Sequence, residues 1–178
     1  MHRTLLRLAT AFFALAPAVA SAHPGHESTG LVHGFMHPLG GFDHIIAMVA
    51  VGLLAARLGG RALWLVPASF VAAMTVAGFA ASTGMALPYA ETGIAVSVVV
   101  LGAAALFGVA MPVAAAMGLV GFFAIFHGYA HGLEMPETAS GLAYGAGFVA
   151  ATAMLHGVGI GLGMMIRQVG RSAVDRAA

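Results

Sequence analysis

Residues 113–134 read VAAAMGLVGFFAIFHGYAHGLE. This is an apolar run long enough to cross a bilayer, since a membrane-spanning α-helix needs about 20 predominantly apolar residues, and it ends in His127, His131 and Glu134. The spacing of the two histidines places both imidazoles on one helix face about one turn apart, where they can chelate a single ion. Glu134 follows on the same face. It reads either as an oxygen ligand, a partner to a ligating ring or a proton acceptor, or as an ordinary interfacial carboxylate.

Outward from that stretch, the whole chain has the same character. Of its 178 residues, 61% are hydrophobic and 7% are charged, against about 25% charged in a soluble globular domain. The composition is that of an integral membrane protein. The 25 glycines are small residues that let membrane helices approach closely. Cysteine is absent, which excludes disulfides, thiolate zinc sites, iron–sulfur clusters and cysteine nucleophiles. A net charge of +1 without lysine or a basic run gives no footprint for nucleic acid.

Five apolar stretches, about 40–58, 62–84, 91–110, 113–133 and 141–166, are each close to a membrane crossing in length. Gly59-Gly60, Pro88, Pro112 and Pro136 mark the breaks between them. The expected fold is all-α: one compact bundle of five transmembrane helices over residues 23–178. Ahead of it, residues 1–22 read as a cleaved secretory signal peptide, with Arg3 and Arg7 before an apolar run that ends at Ala20-Ser21-Ala22. With the new N-terminus periplasmic, Arg57, Arg61, Arg167, Arg171 and Arg176 all fall on the cytoplasmic side together with the C-terminus, as the positive-inside rule asks. The expected location is the bacterial inner membrane.

In this orientation a second polar cluster, His33, His37, Asp43 and His44 in HGFMHPLGGFDH, falls at the same outer level as His127, His131 and Glu134. Pro38 and Gly40-Gly41 make a continuous helix doubtful there, so an unwound entry to the first span is expected. A lone histidine reads as a packing residue. Four of them beside Asp43 point instead to a bound cation, because an uncompensated carboxylate at membrane depth costs about 2.5–3.5 kcal/mol. Imidazole and carboxylate are ligands of divalent transition metals, and residue types alone do not separate nickel, copper and zinc. His156, expected nearer the cytoplasmic side, is either a second station for an ion or a core histidine. His23 and His26, at the expected mature terminus, form either a capture arm or a solvated tail. The 11 methionines are scattered and read as packing.

The segments HPLGGFDH and FHGYAHGLE, behind a cleavable signal, resemble the signatures of the HupE/UreJ family of nickel permeases. The resemblance covers nearly all of the mature chain. It falls on His37, Asp43 and His44, and on His127, His131 and Glu134. It implies import of nickel, with cobalt as an alternative cargo, for hydrogenase or urease maturation, and no tightly bound cofactor.

The resulting expectation is a secondary permease for a divalent metal, with Ni2+ favoured and Co2+ or Zn2+ as alternatives. Its site consists of His37, Asp43, His44, His127, His131 and Glu134, with His23, His26, His33 and His156 as secondary or pathway candidates. The absence of a Walker-type loop leaves membrane potential, a proton gradient or downstream trapping as the energy source. Three other readings stay open: an intramembrane zinc hydrolase, a bis-histidine haem protein, and a metal-binding sensor or assembly subunit that does not transport. Five spans make a narrow bundle, and self-association as a homo-oligomer within the lipid bilayer fits it.

Overall fold

The computed structural model describes residues 30–135 and 140–177. Residues 1–22, His23 and His26 lie outside the described residues, and so do the signal-peptide and capture-arm expectations. Within the described residues the chain is all-helical: α1 (Gly30–Gly40), α2 (Phe42–Leu58), α3 (Ala62–Ser82), α4 (Ala90–Phe107), α5 (Val113–Leu133) and α6 (Ser140–Ala177). Four of these helices are long and apolar enough to cross a membrane, or five crossings if α1 and α2 count as one bent span. The helical wall is itself apolar on the outside: Phe79, Val99, Leu106, Phe107 and Leu142 are all well exposed. Soluble monomers rarely display so much contiguous apolar surface, whereas a hydrocarbon solvent requires it.

The expected break near Gly41 is present, but in a different form. The entry is not unwound. Residues 30–40 form a helix of their own, which meets α2 at 86° across the single non-helical residue Gly41. Pro38 sits in the last turn of α1, close to where the helix ends anyway. The backbone of Gly41 is extended, φ −101° and ψ 115°, but a Cβ there would lie 2.9 Å from both Asp43 Oδ1 and His44 Nδ1, so a larger residue would have to displace the Asp-His pair.

The central helix is α2. Ala47, Met48, Ala50, Val51, Leu54, Ala55 and Ala56 bury most of its circumference, and it packs against α3, α4 and α6. A buried stripe on α5, Ala116, Val120, Phe123, Ala124, His127 and His131, recurs at helical period and lies along α3. There the backbones nearly touch: a Cβ on Gly128 would fall on the Met74 carbonyl, and one on Gly132 on the Gly78 carbonyl. Small residues at such crossings replace the hydrophobic drive that is missing between helices in lipid with close van der Waals packing.

The two ends of the bundle differ in charge. At one end Arg167 Nη1 donates to Ala56 O at 2.8 Å, satisfying a carbonyl in the last turn of α2, and Arg57 reaches the Gly108 turn after α4. His44 begins α2 at the other end, about 20 Å away from Arg57 at 1.5 Å per residue. The apolar part of α6 runs over Gly141–Val169, longer than expected, so His156 sits near its middle and not toward one end.

The α3–α5 contact gives a direct test. Gly128→Ala should destabilise the detergent-solubilised protein by about 1–3 kcal/mol, the usual cost of overpacking, read as a lowered thermal midpoint. Gly118→Ala, on the same helix with nothing within 4 Å of the new Cβ, should be neutral or slightly stabilising.

Candidate metal centre

The bend at Gly41 and the α3–α5 packing bring the two sequence-distant clusters together. The ring of His44, on the first turn of α2, stands 4.8 Å from that of His127 and 4.4 Å from that of His131, centre to centre. His37, on the last turn of α1, is 4.8 Å from His131. Four imidazoles from three helices thus share one pocket. His127 is fully buried, and His44 and His131 are each 8% exposed.

Hydrogen bonding fixes some of these rings and leaves others free. Asp43 Oδ1 accepts from the His44 backbone N–H at 2.9 Å and lies 2.9 Å from its Nδ1. An ionised carboxylate only accepts, so Nδ1 carries the proton and Nε2 keeps its lone pair. That Nε2 is buried without a hydrogen-bond partner. In this arrangement Asp43 orients the ring, as acids do behind ligating histidines. On the opposite side, Glu134 Oε2 lies 2.7 Å from His37 Nε2 and 3.5 Å from His131 Nδ1; the longer approach is beyond an ordinary hydrogen bond. Glu134 caps α5 at the rim of the bundle. The adjoining His131 first, then His37, hold its carboxyl below the ordinary carboxylate range against partial burial.

One donor atom from each of His37, His131 and Glu134 lies within 4.8 Å of the other two. Ligands at about 2.1 Å from one ion are at most about 4.2 Å apart, so a shift of about half an ångström would close this triad on a cation. Next to it His127 Nδ1 and both nitrogens of His131 are buried without hydrogen bonds. Leaving a buried polar atom unpaired costs about 1–3 kcal/mol, and a concentration of such atoms at one point fits a site for a guest ion.

The remaining candidates occupy other positions. His33 is exposed, one turn before His37, with its ring 6.2 Å from that of His37 and 5.6 Å from Tyr144. His156 is buried deeper, 2% exposed with neither ring nitrogen paired. Phe70 stands between the two levels, its ring 5.7 Å from His127 and 5.2 Å from His156. The structure also brings in residues outside both motifs. Tyr144 and Phe148 of α6 pack on His37, and Phe148 on His131; Ser97 of α4 bonds His127. A sequence signal existed only for Ser97, the single hydroxyl in the apolar run 93–110. An apolar cavity of about 350 Å³ between α3, α5 and α6, bordered by Met74, Phe79, Leu142 and Phe148, reaches His131 from the side.

Both motifs contain His-Gly-aromatic-x-His, and the glycines have the same use. A Cβ on Gly34 would fall on the Tyr144 carbonyl, as one on Gly128 would on that of Met74. In each case the residue after a histidine admits a neighbouring helix at contact distance.

The HupE / UreJ protein family matches residues 10–178. A curated relative, Protein HupE of Rhizobium leguminosarum bv. viciae, is 46% identical over 157 residues, 88% of this chain and 82% of that protein. No solved structure matches. With both motif segments inside the matched region and their histidines gathered in one pocket, the chain belongs to the HupE/UreJ protein family.

Proposed function

We propose that this protein is a secondary permease that imports a divalent transition metal, nickel before cobalt or zinc, across the bacterial inner membrane for the maturation of a hydrogenase or urease. The observation that carries the reading is the set of unpaired imidazole nitrogens at one end of an otherwise apolar bundle, 4.4–4.8 Å apart ring to ring. Imidazole nitrogen with a few carboxylate oxygens suits nickel, copper and zinc alike. The preference for nickel comes from the family resemblance.

The charge asymmetry supports an orientation. With Arg57, Arg61 and Arg167 in the cytoplasm, the histidine pocket faces the periplasm. The exposed His33 and the rim carboxylate Glu134 then meet the hydrated ion first. His37 and Glu134, already 2.7 Å apart, open to admit it, and His44, His127 and His131 replace its water ligands. Phe70 separates that pocket from His156, which serves as the next station inward. A pathway of several moderate sites lets an ion leave as readily as it enters, which a single tight site would prevent.

The energetic requirement is modest. Neutral imidazoles compensate the lost hydration without adding a fixed charge to the hydrocarbon, and the nearby acids Asp43 and Glu134 balance part of the incoming charge. No nucleotide is needed for this step. Membrane potential alone supplies about 4.6 kcal/mol for a doubly charged ion at 100 mV, from about 2.3 kcal/mol per charge.

Reconstitution tests the proposal. Proteoliposomes should accumulate nickel with the potential negative inside, and alanine at His44 or His131 should abolish the flux. Unchanged uptake after alanine at His37, Asp43 and His131 together would remove the site assignment. One zinc retained through purification, with no flux, would favour a hydrolase instead. Asp43→Asn keeps the side-chain shape but loses the carboxylate that fixes His44, and should weaken nickel binding about 10–100-fold by titration. Protons compete with the metal for the same lone pairs, so uptake should fall when the outside is made acidic.

A further inference from the structure

The metal-site residues named so far come from α1, α2, α5 and the turn after α5, but His127 is held by a fourth helix. Ser97 of α4 is fully buried. Its Oγ lies 2.6 Å from Ile94 O, one turn earlier on α4, and 2.8 Å from His127 Nε2. A serine hydroxyl has one proton to give. Two oxygens that both present lone pairs do not rest at 2.6 Å, which is a short O–H···O hydrogen bond, and bonding back to a carbonyl in the preceding turn is an established habit of helical serine. The proton therefore goes to Ile94 O. What the hydroxyl offers His127 is a lone pair, and Nε2 must be the donor.

We propose that Ser97 is a positioning residue: it locks His127 as the Nε2–H tautomer and thereby keeps Nδ1 unprotonated and presented to the transported metal. The consequence for Nδ1 rests on the permease reading above; the tautomer does not. Nδ1 is buried and makes no hydrogen bond among the described residues, while the His127 ring stands nearly perpendicular to that of His44, at 85°. The two rings are set by opposite nitrogens. Asp43 takes the Nδ1 proton of His44 and frees Nε2; Ser97 takes the Nε2 proton of His127 and frees Nδ1. Two adjacent imidazoles thus each keep a lone pair inside the pocket, without either having to release a proton when a cation arrives. A neutral hydroxyl performs this task where a second carboxylate would add a negative charge at membrane depth, where charge is costly.

The test uses the full chain, labelled with 15N-histidine in detergent micelles, and long-range proton–nitrogen correlation, which distinguishes the two tautomers. The His127 signals are assigned by their loss in His127→Ala. Metal-free wild type should show His127 with the proton on Nε2 alone. In Ser97→Ala the Nδ1–H form should appear, and nickel affinity in the same samples should fall about 10–100-fold, as for other residues that orient a ligand. A wild-type spectrum with the proton on Nδ1 overturns the proposal, even if the variant does not fold. So does a Ser97→Ala spectrum that keeps the Nε2–H form alone, or a changed tautomer with unchanged nickel affinity. Wild type that shows the expected tautomer but binds no nickel refutes the permease reading and leaves the tautomer assignment standing.

Discussion

Four buried histidines, His44, His127, His131 and His156, hold ring nitrogens with no hydrogen-bond partner in the interior of an apolar bundle. Each such atom opposes folding by about 1–3 kcal/mol, and hydrocarbon outside the bundle offers no water to relieve it. The remaining structure has to hold these rings in place against that cost. It does so by backbone contact. The α3–α5 crossing at Gly128 and Gly132 and the α2–α6 crossing, where a Cβ on Gly52 would fall on the His156 carbonyl, bring the helices to contact distance exactly alongside the rings they must fix.

The bend at Gly41 is the second determinant of the pocket. A straight helix through residues 30–58 would carry His37 away from α5 along the membrane normal. Turning 86° between α1 and α2 lets α1 pack on α6, where His37 meets His131 and Glu134. The pocket is then lined by α1, α2 and α5. There His37 Nε2 and Glu134 Oε2 lie 2.7 Å apart, a contact between two groups of metal-ligating chemistry. On the proposed function, an arriving cation would compete with this contact.

Asp43 and the serine hydroxyl of Ser97 stand behind the imidazoles. Asp43 and Ser97 act on opposite nitrogens of neighbouring rings. Such orienting groups contribute to metal affinity because they remove the rotational and tautomeric choice a ring would otherwise have on binding. The acids also remain outside the deepest layer: Asp43 is partly exposed and Glu134 lies at the rim. Charge is therefore concentrated where water reaches, and the inner level, Phe70 and His156, is neutral.

The sequence by itself determined the membrane class and the limits of the three middle helices, because a stretch long enough to cross a bilayer is a linear property; the last helix runs to Ala177, past the expected 166. The expected 113–133 is α5 as observed, and the expected 62–84 and 91–110 differ from α3 and α4 by three residues or fewer at each end. It also singled out the candidate site residues, since ionisable residues are rare in such a chain. The helix α1 was not legible, because Pro38 and two glycines speak against a helix locally, and only packing against α6 stabilises one. The meeting of His44 with His127 and His131 and the engagement of Ser97 were decided by tertiary structure alone. Spacing along a chain fixes which residues share a helix face, but only the approach of one backbone to another fixes which faces meet.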